Sequence, residues 1–316
     1  MDNQQISQSH FYKTTEADFV NLFQDFLQRY SSENTSSFGG TSDFSKKKSS
    51  KKSDNASSDP KIDVVIIVAV PNEKDGAYNA FNLSKATPKK LDFLDRYRFD
   101  YVQFNHDGLN IALLIQPSMG MTQSASLTSR AILAFQPKLV AMVGICAGRK
   151  EKVSLGDIVI ASDVFDYTAG KQYVDRFGPR PKSYPIDDTL ASYIVGSIID
   201  KHELVGKIVD AYQGDKPSHQ ISIHFKPIAS GTAVIDDPKI VQDIIKNQDD
   251  LVGIDMEAYA LAVSSNILRT KWIIIKSVQD FADGEKSTTE TGIRSFAAYS
   301  SAKLLALILK DLSNYF

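Results

Sequence analysis

The chain has 316 residues, 36 Lys and Arg against 38 Asp and Glu, a net charge of −2 and 42% hydrophobic residues. This globular mix excludes a wholly disordered or collagen-like chain, and the balanced charge gives no global pull toward nucleic acid or a membrane surface. The single Cys146 can form neither an internal disulfide nor a cysteine-based zinc site and fits a reducing, cytoplasmic setting, while the polar start and the lack of an uncharged apolar run of about 18 residues predict no signal core or membrane span.

The first pattern is helical. Thr14 or Thr15 can cap it, and Asp18 stands where a capping-box acid would. Phe19, Leu22, Phe23, Phe26, Leu27 and Tyr30 recur at helical spacing, so residues 1–30 read as an N-terminal helical segment. A lone amphipathic helix this short is marginal in water, so its stripe calls for cover by the main domain or by a partner protein. Residues 31–58 hold eleven Ser and five Lys, with little apolar beyond Phe38 and Phe44. They read as a flexible linker, since they cannot bury enough surface to offset their ordering entropy. Its KKKSSKK run reads as a solvated tether more readily than as a nucleic-acid patch or localisation signal.

Residues 59–316 alternate strands and helices. Residues 62–70 (IDVVIIVAV) form a near-continuous apolar run, as in a strand buried on both faces, and 110–116, 138–145, 157–164 and 272–278 look alike. Helices are expected at 122–135, 255–268 and 291–313. The pattern predicts an α/β domain with a mostly parallel or mixed central sheet flanked by helices.

Ligands of open α/β sheets sit beyond the carboxyl ends of the strands. Three acids stand at such places: Glu73 in VPNEKDG, Glu257 in GIDMEAYA and Asp280 in QDFAD. Each alone reads equally well as a helix cap or dipole partner. Gly120, Gly144 and Gly148 follow apolar strands and permit close approach of backbone to a ligand, or simply turn the chain.

The string VAMVGICAGRKEKVSLGDIVIASDVFDY, with GIDMEAYALA and VQDFAD, resembles the nucleoside phosphorylase/nucleosidase superfamily. The nearest branches are the methylthioadenosine/S-adenosylhomocysteine nucleosidases and the nucleotide nucleosidases of bacterial anti-phage systems. The resemblance covers about residues 62–313, in order and spacing. It implies a nucleoside phosphorylase-like fold, at least a homodimer, and neither metal nor cofactor. It also implies roles: Glu73 activates water, Glu257 binds the ribose hydroxyls with Met256 against the sugar, and Asp280 protonates N7 of the leaving adenine. The backbone around Val234 and Ile235 lines the base pocket. An acid for the leaving group and a base for water are what an oxocarbenium-like reaction needs. Asp280 is then expected to keep its proton near neutral pH in a dry pocket, and Glu73 to be ionised. Asp255 and Asp283 are expected to be structural, as a helix cap and a loop brace.

Phosphorylases of this family hold phosphate with arginines and a serine. Here the matching positions are Met142 and Ile145, which favours water as nucleophile. The loop YTAGKQYVDRFGPRPKSYP carries Lys171, Arg176, Arg180 and Lys182 against Asp175, and Arg149, Lys150 and Lys152 follow a nearby turn. A basic lining suits a 5′-phosphorylated adenine nucleotide such as ATP or AMP, with Lys171, Arg176 and Arg180 as its contacts; a solvated surface loop would look the same. The alternatives are a methylthioadenosine/S-adenosylhomocysteine nucleosidase, a purine nucleoside phosphorylase, and an inactive ligand-sensing module coupled to a partner through residues 14–30.

Overall fold

The computed structural model describes residues 61–93, 97–246, 248–283 and 291–316. The helix expected over 14–30 and the linker over 31–58 lie outside these residues. In chain order the elements are β1 (Val64–Val68), α1 (Pro71–Ala80), β2 (Lys89–Phe93), β3 (Tyr97–His106), β4 (Leu109–Ile115), α2 (Met121–Phe135), β5 (Leu139–Gly148) and β6 (Ile158–Asp166). Then follow β7 (Gly170–Gln172), β8 (Phe177–Pro179), β9 (Ser183–Pro185), α3 (Asp188–Ser197), α4 (His202–Ala211), β10 (Ile223–Ser230) and α5 (Pro238–Ile245). Last come β11 (Gly253–Asp255), α6 (Ala258–Ile267), β12 (Lys271–Asp280) and α7 (Thr291–Leu312), with a closing 3₁₀ turn.

The apolar runs are the buried strands. Every residue of β1 is fully buried, as a strand with helices on both faces requires. The main sheet runs β11-β10-β6-β12-β5-β1-β4-β3-β2. Pairs β4–β1, β1–β5 and β5–β12 are parallel, while β12–β6 and the outer β2–β3–β4 pairs are antiparallel, so the sheet is mixed. β11 pairs with β10 on one side and, antiparallel, with β5 on the other. One end of the sheet therefore curls back on itself, carrying the ends of β5, β10, β11 and β12 toward one another.

Boundaries moved where side chains intervened. The helix expected over 255–268 begins at Ala258, because Asp255 ends β11 and its carboxylate accepts the Ala258 N–H. The outer strands β2 and β3 lack a continuous apolar run. Their β3–β4 turn is a two-residue Asp107–Gly108 connection with φ of +50° and +88°, the geometry that favours Asp-Gly in hairpins.

Residues Gly292–Tyr315 form a helix long and apolar enough by length and composition to cross a membrane, and 72% of its most apolar window is buried inside the protein. It packs on α1, β5 and β12. The α1 contact is close: a Cβ at Gly76 would lie 2.5 Å from the backbone carbon of Ala298. Gly76→Ala should therefore push the helices apart and cost about 1–3 kcal/mol in chemical denaturation; unchanged stability would contradict this packing.

Candidate active site

Pro71 starts α1 directly beyond β1, which puts Glu73 in its first turn. The Glu73 side chain is buried and folds back. Its Oε2 accepts the N–H groups of Ala69 (2.6 Å) and Val70 (3.2 Å), and its Oε1 accepts the N–H of Ile145 on β5 (2.9 Å). Gly144 makes room: a Cβ there would sit 1.9 Å from Glu73 Oε1. The close approach seen at Gly144 is to the Glu73 carboxylate.

Beside Gly144 in the β5–β12 register lies Lys276. It is 0% exposed. Its ammonium is 3.1 Å from Asp255 Oδ2, 3.8 Å from Glu73 Oε1 and 3.9 Å from Glu257 Oε2. Burial alone would pull its pKa down, but Asp255, Glu73 and Glu257 together hold it above the usual lysine range, so the lysine is charged. Sequence reasoning missed this residue. The available signal was a single cation inside an apolar run, WIIIKSV; a charge in a strand buried on both faces must be paired.

Glu257 stands at the N-cap of α6, at the expected loop-to-helix transition. Its Oε1 accepts the N–H of Gly120 (2.8 Å), which caps α2 at a φ of +109°. That conformation favours glycine. Burial pushes the Glu257 pKa up to about 7; Lys276 opposes the rise, Asp255 adds to it, the Gly120 N–H opposes it and Glu73 adds to it. Asp255 proves more than the cap expected of it. Besides Ala258 N–H it accepts the Ser230 hydroxyl (2.7 Å), and it is the nearest of the three anions to Lys276.

Asp280 is buried at the end of β12. Its Oδ1 accepts the N–H of Ala282 (3.0 Å) and its Oδ2 the side-chain N–H of Gln279 (3.0 Å). Cys146 ties it to the cluster: burial raises the pKa of this thiol well above its usual range, Lys276 opposes, and Asp255, Asp280 and Glu73 add to the rise. Glu73 and Glu257 thus meet at one lysine, and Asp280 shares the Cys146 neighbourhood with Lys276, Asp255 and Glu73.

The other expected residues divide. Met256 is half-buried between Asp255 and Glu257. Ile235 is buried in a small cluster with Phe165 and Ile254, whereas Val234 is 62% exposed. Lys171, Arg176 and Arg180 are exposed on or beside the β7–β8 hairpin, where Lys171 and Arg176 lie over the ring of Tyr173 at 4.8 Å and 5.3 Å. Arg149, Lys150 and Lys152 are engaged by protein groups. Arg149 and Lys152 donate to the Asp249 carbonyl, and Lys150 pairs with Asp283 at 3.0 Å. Asp283 is thereby the loop brace expected. A cavity of about 270 Å³ between α3, α4 and α7 contains none of the expected residues.

Residues 63–313 match the family model described as the phosphorylase superfamily. The chain belongs to this superfamily. Protein y4jS of Sinorhizobium fredii is 33% identical over 220 residues, 67% of this chain and 52% of its own length. The ATP nucleosidase Cap17 of Escherichia coli is 25% identical over 248 residues, covering 74% of this chain and 49% of Cap17. The chain thus spans about half the length of these two relatives. The 5′-methylthioadenosine/S-adenosylhomocysteine nucleosidase of Bacillus velezensis is 25% identical over 67% of this chain and 85% of its own. In fold, the Neisseria meningitidis enzyme of that name, solved with methylthio-immucillin-A, superposes with a TM-score of 0.59 at 21% identity, covering 78% of this chain and 98% of the other.

Two outcomes test the cluster. Lys276→Met strands three buried carboxylates and should cost about 3–5 kcal/mol; a denaturation midpoint equal to wild type would contradict the ion-pair account. Glu257 has a folded pKa raised from 4.5 to about 7, so its stabilising protonated state is fully present below pH 4.5 and lost as pH rises through 7. Glu257→Gln should therefore be near neutral at pH 4.5 and gain about 3 kcal/mol over wild type above pH 7. A pH-independent difference would contradict the shift.

Proposed function

We propose that residues 59–316 hydrolyse the N-glycosidic bond of an adenine nucleoside or its 5′-phosphorylated nucleotide, releasing adenine. The observation that carries this reading is the meeting of Glu73 and Glu257 at buried Lys276, with Asp280 ending the strand that carries that lysine. Glu73 orients water and takes its proton as the oxygen bonds to C1′. The C1′–N9 bond breaks, its electron pair passes to the base, and Asp280 supplies a proton to N7. Glu257 accepts the 2′- and 3′-hydroxyls, and its charge stabilises the cationic sugar of the transition state. Lys276 keeps the two glutamates from repelling each other apart.

Water rather than phosphate suits this site. Met142 is fully buried and apolar, the Ile145 N–H is already taken by Glu73, and the buried cation Lys276 is surrounded by three carboxylates. A phosphate dianion entering there would meet repulsion without compensating donors.

The 5′ substituent divides two readings. Exposed Lys171, Arg176 and Arg180, with the likeness to ATP nucleosidase Cap17, support a 5′-phosphorylated substrate. The loop after β4 instead presents Met119 at 52% exposure beside Gly120, which with the B. velezensis relative favours a methylthio group. Adenine release from ATP, AMP and methylthioadenosine, followed by chromatography, separates them. The nucleotide reading predicts the highest kcat/KM for a phosphorylated substrate and its loss when Lys171, Arg176 and Arg180 become Ala; a preference for methylthioadenosine overturns it. Asp280→Asn should lower kcat by about 10²–10⁴-fold. Equal rates would remove Asp280 from the mechanism, and no release from either protein would favour a ligand-sensing module. Because only ionised Glu257 accepts both hydroxyls, KM should fall as pH rises through about 7.

A further inference from the structure

Successive side chains of a regular strand point to opposite faces. Gln279 and Asp280 break this rule, since their side chains are hydrogen-bonded to each other, Nε2 to Oδ2 at 3.0 Å. The cause is a bulge. Val278 pairs with Cys146 and Asp280 with the next residue, Ala147, leaving Gln279 without a partner in the β5–β12 register. Bulges near the ends of strands re-aim side chains in this way. Ala282, at a φ of +54°, turns the chain so that its N–H reaches the other carboxyl oxygen, Oδ1, at 3.0 Å.

The arrangement carries a cost. Gln279 Oε1 is inaccessible to water and has no hydrogen-bond partner among the described residues. A half-satisfied buried amide does not recommend itself as a device for stability. What it supplies is the N–H on Asp280.

We propose that Gln279 is a positioning residue for the reaction, fixing the rotation of the Asp280 carboxyl group and donating to the oxygen on which negative charge appears as the proton leaves for the base. This rests on the reading of Asp280 as the acid. Preorganised donors aimed at developing charge act on the transition state more than on substrate binding. The effect therefore falls on kcat and on the ionisation of Asp280, not on KM. Among the described residues, Asp280 acts on the Cys146 thiol of β5 together with Lys276 on β12, Asp255 on β11 and Glu73 on α1, and the Lys150–Asp283 pair lies beside Phe281.

The test is Gln279→Met, which keeps the volume and removes both the donor and the unpaired oxygen, measured by adenine release across pH together with thermal unfolding. The expected result is a kcat lower by about tenfold or more and a KM within about twofold of wild type. The alkaline limb of kcat should move up by about one pH unit, because the carboxylate has lost a donor. The melting temperature should be held or raised. Gln279→Glu should regain activity at acidic pH, where its protonated carboxyl can donate, and lose it as it ionises. A wild-type kcat and pH profile in Gln279→Met, or a loss of melting temperature with the limb unmoved, would overturn the proposal. Asp280→Asn, assayed alongside, separates the two ideas: if it retains the wild-type rate, the acid assignment itself has failed.

Discussion

A lysine with no exposed surface must be paired, and the pairing of Lys276 is the constraint on which the site depends. An ammonium buried in the middle of a sheet is costly to desolvate and is retained only when carboxylates surround it closely. Here they come from Glu73 beyond β1, Asp255 at the end of β11 and Glu257 at the start of α6. Glu73 is distant in sequence from Asp255 and Glu257, so the lysine's requirement is also a requirement on the fold. The return of β11 onto β5 meets it, since that closing pair delivers Asp255 and the start of α6 to the β12 side of the sheet.

The same charge balance shapes the chemistry. Three carboxylates around one cation leave the cluster with surplus negative charge. That surplus, with burial, raises Glu257 and opposes entry of another anion. It is also the field a cationic sugar needs. The protein thus holds a locally unfavourable arrangement at its site, and the fully buried β1 with the mostly buried β5 and β12 supplies the rigidity that keeps it in place.

Much of this was legible in the sequence for identifiable reasons. β1 and the apolar parts of β5 and β12 are continuous runs that can only be strands buried on both faces, and Glu73, Glu257 and Asp280 stood at their ends or at a helix start. Other parts were hidden. Strands β2 and β3 alternate polar and apolar residues toward a sheet edge, and only the Asp107–Gly108 dipeptide between β3 and β4 offered a local turn signal. The three residues of β11 are too few to carry a period, so they merged with the helix after them. Lys276 was overlooked because apolar neighbours dominate its segment. Arg149, Lys150 and Lys152 looked available for phosphate because nothing in the local sequence shows that Asp249 and Asp283, far along the chain, engage them. The bulge at Gln279 could not be read either, since it depends on how β12 meets β5.

The most direct measurement of the central claim is the origin of the oxygen that replaces the base. The protein is incubated with ATP and methylthioadenosine in oxygen-18 water containing inorganic phosphate, and the sugar product is weighed by mass spectrometry. Attack by the water at Glu73 predicts a free sugar carrying one oxygen-18 at C1′ and no sugar phosphate bonded through C1′. A sugar 1-phosphate, or a C1′ oxygen that does not come from solvent, would contradict the account.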